Sequence, residues 1–300
     1  MGKCDECLQD APIGVISNDF MKFSKGKYSG REIAVHRPAW DEDGVVIRYK
    51  LSGRSDGSKS REMLISKDVR DLDDKCYTKS MTVYPSSEKE MPNVYVKTSP
   101  LAESDDYTRA YQIYTAIQTL DDSEFILISN GHQTDSLIER ARKCADFHYH
   151  KDEYLKAVLN AWGPETDGPN KSVQTSRIAG IVTMEKNGFD YSLGAIDRYH
   201  NTIMRSGPVK SIEPGHTAIV STYRHDTPWM DIPAEVRVVG ESLGEQSFSE
   251  EVEESWKDAK QETVTLRKTG EEIPVIASMA WLYVQDDGKM QLQVRDAFKD

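Results

Sequence analysis

Apolar and polar positions alternate in short bursts along much of this chain, and each burst ends in turn chemistry. That pattern predicts many short strands joined by hairpins. Residues 1–27 show only weak periodicity and read as an extension; the strand-like pattern begins at Tyr28. Glu32-Ile33-Ala34-Val35-His36-Arg37 and Val45-Val46-Ile47-Arg48-Tyr49-Lys50-Leu51 flank a Pro/Asp/Gly turn at 38–44, a hairpin. Further short strands are expected at 81–84 and 93–96, while 107–114 suits helix or strand. Phe125-Ile126-Leu127-Ile128-Ser129 is unbroken in its apolar content, as a strand buried on both faces should be.

A helix is expected from Ser136 through Ala145, capped by Thr134 or Asp135, and a second over 151–161, ahead of Gly163-Pro164. Gly163 to Ser176 is rich in Gly, Pro, Asn and Thr and reads as a loop. Arg177 to Thr183 and Phe189 to Ala195 pair across an Asn187-Gly188 turn. Strands follow at 217–223 and 236–239, then an acidic helix at 247–262. Ile276 to Val284 and Met290 to Val294 form a last hairpin around Asp286-Asp287-Gly288. Many hairpins and few helices predict an α+β fold, and no linker divides the chain, so residues 28–300 are read as one domain.

Composition narrows the function. The net charge of −12 argues against a general nucleic-acid binder, which needs clustered Lys and Arg. It leaves room for a small phosphorylated ligand, which needs only a few local cations. No apolar run is long enough to span a bilayer, and Met1 to Cys7 lacks the apolar stretch of a signal peptide, so a cytoplasmic protein is expected. Cys4 and Cys7 form a lone CxxC without two further zinc ligands at motif spacing, and reduced thiols are expected.

Several small polar motifs could carry chemistry. The loop Gly53 to Arg61 follows a strand and combines Gly, Ser, Arg54, Lys59 and Arg61, the makings of a phosphate cradle or of a solvated hairpin loop. Asn130-Gly131-His132-Gln133-Thr134-Asp135 sits where a strand meets a helix N-terminus, which favours anions and carbonyl groups. Capping explains Thr134 or Asp135 but not the arrival of Asn130, Gly131 and Gln133 together. Glu165 and Asp167 precede Arg177, as an acid–base pair, an orienting clamp or surface acidity. His148 and His150 lie beside Asp146 and Asp152, where a polar helix start is the better reading than a metal site.

Taken in order, these motifs resemble the archaeal-type inosine monophosphate (IMP) cyclohydrolases. Tyr28-Ser29-Gly30-Arg31 matches that family's opening Tyr-x-Gly-Arg, Arg54 to Arg61 its Arg-bounded Gly/Ser loop, and Asn130, Gly131, Thr134 and Asp135 its Asn-Gly-x-x-Thr-Asp element. Thr175 and Arg177-Ile178-Ala179-Gly180 match a later element in which Ser176 replaces proline, and Glu165, Asp167 and Asn170 precede it with extra residues after Asn170. Ser221-Thr222-Tyr223 and Asp226 match a Thr-Tyr-x-Gly-Asp element in which His225 replaces glycine. The resemblance covers about residues 28–298.

The resemblance implies a four-layer αββα sandwich similar to N-terminal-nucleophile hydrolases, without a self-processed nucleophile. It implies ring closure of the formylated aminoimidazole carboxamide ribotide to IMP, with no cofactor and no metal. Arg54, Tyr95, Glu165 and Asp167 are the implied catalytic residues. Arg31, Arg61, Asn130, Gly131, Gln133, Thr134, Asp135, Asn170, Arg177, Thr222 and Tyr223 are the implied substrate contacts. The expected partner is a purine-nucleotide small molecule, with neither nucleic acid nor membrane, and homo-oligomerisation is left open. An amide hydrolase or a non-catalytic nucleotide-binding protein on the same fold are the alternatives.

Overall fold

Burial on both faces is what the apolar run 125–128 demands, and the computed structural model provides it. The structure describes residues 21–23, 30–52, 67–68, 94–100, 114–120, 124–167, 173–222, 235–240, 247–261, 263–266, 272–274 and 276–296. In chain order its strands begin with β1 (Met21–Phe23), β2 (Arg31–Arg37), β3 (Val45–Ser52), β4 (Lys67–Asp68), β5 (Tyr95–Lys97), β6 (Ser99–Pro100), β7 (Thr115–Leu120) and β8 (Phe125–Ser129). Helices α1 (Gln133–Lys143) and α2 (Lys151–Trp162) follow. Then come β9 (Glu165–Asp167), β10 (Val173–Thr175), β11 (Arg177–Glu185), β12 (Gly188–Ile196), β13 (Thr202–Pro208), β14 (His216–Ser221) and β15 (Glu235–Gly240). Helix α3 (Phe248–Lys260), β16 (Thr263–Leu266), β17 (Glu272–Pro274), β18 (Ile276–Val284) and β19 (Met290–Asp296) complete the set.

Two six-stranded antiparallel sheets organise these elements, in the orders β13-β12-β11-β8-β7-β5 and β15-β14-β2-β3-β18-β19. With three α-helices among the described residues, the fold is α+β. The main apolar cluster lies between the sheets and takes Ile126 and Ile128 from one, and Val45, Ile47, Tyr49 and Leu51 from the other. The alternate residues Phe125 and Leu127 turn to the opposite face and pack on Leu137, Leu155 and Leu159 of α1 and α2. On the far side of the second sheet, Val46, Trp281 and Tyr283 pack against Phe248, Val252 and Trp256 of α3. The period-2 alternation of β8 therefore fills two apolar layers from one strand, which is why that run shows no polar face, whereas β3 alternates its core-facing Val45, Ile47, Tyr49 and Leu51 with Val46, Arg48, Lys50 and Ser52.

The helices are set by local chemistry. Helix α3 opens with the Ser247 hydroxyl accepting from the Glu250 backbone N–H, and its apolar residues recur at helical spacing. Helix α2 stops at Gly163, whose φ of 64° suits glycine and whose N–H bonds Leu159 O. Among the described residues no helix is long and apolar enough to cross a membrane.

Three details differ from the sequence expectation. Helix α1 begins at Gln133 rather than Ser136, and Thr134 lies inside its first turn instead of capping it; the N-cap, His132, makes no side-chain cap bond. The Thr134 hydroxyl instead donates to Thr115 O at 2.7 Å, tying the helix to β7. The stretch 163–176 contains β9 and β10, paired antiparallel with Glu165 opposite Thr175. These strands are short and polar, so the Gly/Pro/Asn content around them masks the pairing. Finally, β1, inside the segment read as an extension, pairs with β16. The strands expected at 81–84 lie outside the described residues.

Candidate functional site

At one end of the inter-sheet layer the apolar filling gives way to charge. Arg31 opens β2 on the same face as Ile33 and Val35, so its side chain enters the space between the sheets. There its guanidinium meets the Glu165 carboxylate at 3.4 Å, with the two side chains only 8% and 4% exposed. Glu165 reaches this position because α2 ends at Gly163 and the β9–β10 hairpin turns the chain back, its first residue paired with Thr175. Arg31 is fixed by its backbone: its N–H donates to Thr222 Oγ1 at 3.0 Å, and the Thr222 N–H donates to Arg31 O at 2.9 Å.

One row deeper, two tyrosines from opposite sheets meet. Tyr49 of β3 and Tyr114, one residue ahead of β7, join hydroxyls at 2.6 Å, and both are almost fully buried. Burial pushes the Tyr49 hydroxyl well above its ordinary pKa and the Tyr114 hydroxyl above its own. For Tyr49 the neighbouring Tyr114 adds to the rise, and for both the Arg31 charge opposes it. Both groups are thus neutral hydrogen-bond donors at ordinary pH. Neither was singled out in the sequence, although Tyr49 shares the parity of Val45, Ile47 and Leu51. A polar-tipped aromatic on a core-facing position needs a partner for its hydroxyl, and that was the available signal.

Beside this cluster, the β8–α1 junction is wired to β11. Asn130 Oδ1 accepts from the Ile178 N–H at 2.8 Å and from Gln133 Nε2 at 2.8 Å, while Asn130 Nδ2 donates to Ser176 O at 3.1 Å. Gln133 Oε1 accepts from Arg177 at 3.0 Å, and the Arg177 guanidinium lies 5.2 Å from the centre of the half-exposed Trp162 ring. Gly131 lies close against this bond: a Cβ there would stand 2.6 Å from Gln133 Oε1 and 2.8 Å from an Arg177 nitrogen, so the two side-chain ends would have to move apart. The amide groups of Asn130 and Gln133, both fully buried, are thus engaged within the protein. They lock β11 so that Ser176 and Thr175 sit behind Glu165.

The structure thus brings Arg31, Glu165 and Thr222 together, and places Asn130, Gly131, Gln133, Thr134 and Arg177 in the adjoining bracket. Asp135 is exposed on α1, beside His132 at 3.6 Å. Tyr95 lies on the other face of its sheet: Val94 and Val96 enter the inter-sheet core, and Tyr95, opposite Gln118, alternates away from them. Asp167 holds a strand position opposite Val173. Arg54, Arg61, Asn170 and Tyr223 lie outside the described residues. Away from this end, His148 stands between Glu185 at 2.9 Å and Glu124 at 3.3 Å, contacted through different ring nitrogens. Among the described residues no group of three or more His, Cys, Asp or Glu is arranged to hold a metal ion.

Comparison with known proteins adds to this geometry. A family described as IMP cyclohydrolase-like protein matches residues 61–269, more than two thirds of the chain. An IMP cyclohydrolase from Methanosphaera stadtmanae is 27% identical over 203 residues, covering 67% of this chain and 76% of the relative. The matched span 61–269 holds Tyr114, Asn130, Glu165, Arg177 and Thr222. Arg31 and Tyr49 come from the hairpin ahead of it.

Proposed function

This chain belongs to the IMP cyclohydrolase-like family, and from that premise we propose that it closes the formylated aminoimidazole carboxamide ribotide to IMP in the cytoplasm, as a step of purine synthesis. In that reaction the carboxamide nitrogen attacks the formyl carbon within one molecule. The formyl oxygen then leaves as water, taking one hydrogen from each of the two reacting nitrogens. The enzyme must fold the substrate into attack geometry and stabilise the negative charge that grows on the formyl oxygen.

The observation that carries this reading is the buried group Arg31, Glu165, Tyr49 and Tyr114 where the two sheets meet. A neutral tyrosine hydroxyl gives a proton donor to the developing oxyanion, with little solvent to dilute the interaction. The Glu165 carboxylate is the acceptor for the carboxamide proton, and Arg31 orients it. Thr222 fixes Arg31 by its backbone, and the Asn130–Gln133–Arg177 bracket holds the strand behind Glu165. The chemistry uses no redox step, so no cofactor is part of the proposal. Arg54 and Arg61 remain proposed phosphate contacts, and Asn170 and Tyr223 proposed substrate contacts. The kinship of the layered fold to N-terminal-nucleophile hydrolases belongs to the same proposal.

Neither comparison points to an amide hydrolase or to a non-catalytic binder. The direct test is an absorbance assay for IMP formation from the formylated ribotide, beside calorimetric binding of IMP. Turnover supports the proposal. Binding without turnover reassigns the chain as a nucleotide-binding protein, and the absence of both overturns the reading.

A further inference from the structure

The inner face of the second sheet ends in one cross-strand row. Thr222 lies opposite Arg31, Arg31 opposite Leu51, and Leu51 opposite Ser278. The next row inward contains Ile33, Tyr49 and Ala280, so Tyr49 is the diagonal neighbour of Ser278. Ser278 shares the face of Ala280, Leu282 and Val284, which pack in the inter-sheet core. Its side chain therefore points into the same layer as Arg31, Glu165 and the tyrosine pair.

Ser278 is fully buried, and among the described residues its hydroxyl has no hydrogen-bond partner. A buried hydroxyl without a partner is destabilising, and alanine in its place would pack with its neighbour Ala280 at no such loss. The sheet is also irregular here: the β18–β3 register shifts between Ile276 and Ser278. A bulge of this kind re-aims a side chain, and bulges gather beside active sites. An unsatisfied hydroxyl, a re-aimed strand and the buried Arg31–Glu165 pair at the same sheet end together indicate a group kept for a ligand rather than for the fold.

We propose that Ser278 is a substrate-binding residue of the ring-closure site, its hydroxyl hydrogen-bonding to an oxygen of the bound ribotide. The proposal rests on the reading of the site as one for a purine ribotide. It adds a residue beyond the span 61–269 that the family match covers. The bound oxygen satisfies the hydroxyl, so the ligand relieves a defect that the free protein carries.

The test is Ser278→Ala in the full chain, read by thermal unfolding without ligand and by calorimetric binding of IMP. The unliganded variant should melt roughly 2–5 °C higher, since it loses an unsatisfied group. Its affinity for IMP should fall about 5–10-fold, the worth of one neutral hydrogen bond. A higher melting temperature with unchanged IMP affinity overturns the proposal and leaves the site assignment standing. A lower melting temperature also overturns it, because the hydroxyl then serves the fold. Failure of the wild-type protein both to bind IMP and to turn over the ribotide removes the site reading, and this proposal with it.

Discussion

Glu165→Gln is the most informative single change at the site, because it removes one charge and almost no volume. At 3.4 Å the Arg31–Glu165 attraction is about 5 kcal/mol at an effective dielectric near 20. Desolvating the two ions offsets much of that gain, so the pair adds little to net stability. Breaking it is a different matter, for the Arg31 guanidinium then stays buried without its carboxylate, a loss of about 3–5 kcal/mol. Arg31 has further interactions, so the lower end applies, about 3 kcal/mol. With an unfolding entropy of roughly 2 cal/mol/K per residue, that lowers the melting temperature by about 5 °C. Urea or thermal unfolding measures it, and the pair Arg31→Met with Glu165→Gln should be less destabilised than the sum of its single changes. In the ring-closure assay the single variant should lose about 10²-fold or more in kcat, as for a lost general base. A Glu165→Gln protein that unfolds like wild type and turns over at the wild-type rate refutes both the burial argument and the role.

Tyr114→Phe removes one hydroxyl and leaves the ring in place; ring closure should slow by about 10²-fold or more while stability falls by only about 1–2 kcal/mol, and equal losses in Tyr95→Phe would instead place the proton donor on the other face of the sheet. Gly131→Ala forces a methyl against the Gln133–Arg177 bond and should destabilise by about 1–3 kcal/mol, seen as a lower urea midpoint; a wild-type midpoint removes the close-approach argument. For the tyrosine pair, folded pKa values above the ordinary 10.0 mean that their contribution to stability is complete below about pH 10 and lost as pH rises beyond it. Ultraviolet titration should therefore show late-ionising tyrosines appearing together with alkaline unfolding, and reversible ionisation of every tyrosine near pH 10 in a folded protein would contradict the buried pair.

Local chemistry made the strands and helices legible. The hairpin β2–β3 announced itself by two β-rich runs around turn residues, and β11–β12 by Asn187-Gly188, where Gly188 indeed takes a φ of 125°. The start of α1 was misplaced because Thr134 looks like a cap, while in the fold its hydroxyl bonds a carbonyl of β7, 19 residues away. Arg31, Glu165 and Thr222 were named from the sequence as separate residues, but Tyr49 and Tyr114 were not, and their grouping was not legible. Arg31 and Glu165 stand 134 residues apart, and Tyr49 and Tyr114 stand 65 apart. No local spacing brings them together; only the stacking of two sheets does. The resemblance pointed to Tyr95 and not to Tyr114, since it takes the register of β5 on β7 to show that Tyr95 alternates away from the inter-sheet core while Tyr114 enters it.

The order of strands along the chain also bears on how the protein is made. The first sheet is built from one continuous stretch, β5 through β13, whereas the second is stitched from both ends, with β2 and β3 waiting for β14 and finally for β18. During synthesis the early hairpin leaves the ribosome with an unpaired edge on each side, and its partners arrive only after the whole first sheet has emerged. A chain interrupted before β18 has every site residue described here except Ser278, yet leaves the β3 edge and the Tyr49 row uncovered. Such fragments are expected to pair with one another rather than turn over substrate, which makes the last hairpin the checkpoint between nascent chain and enzyme.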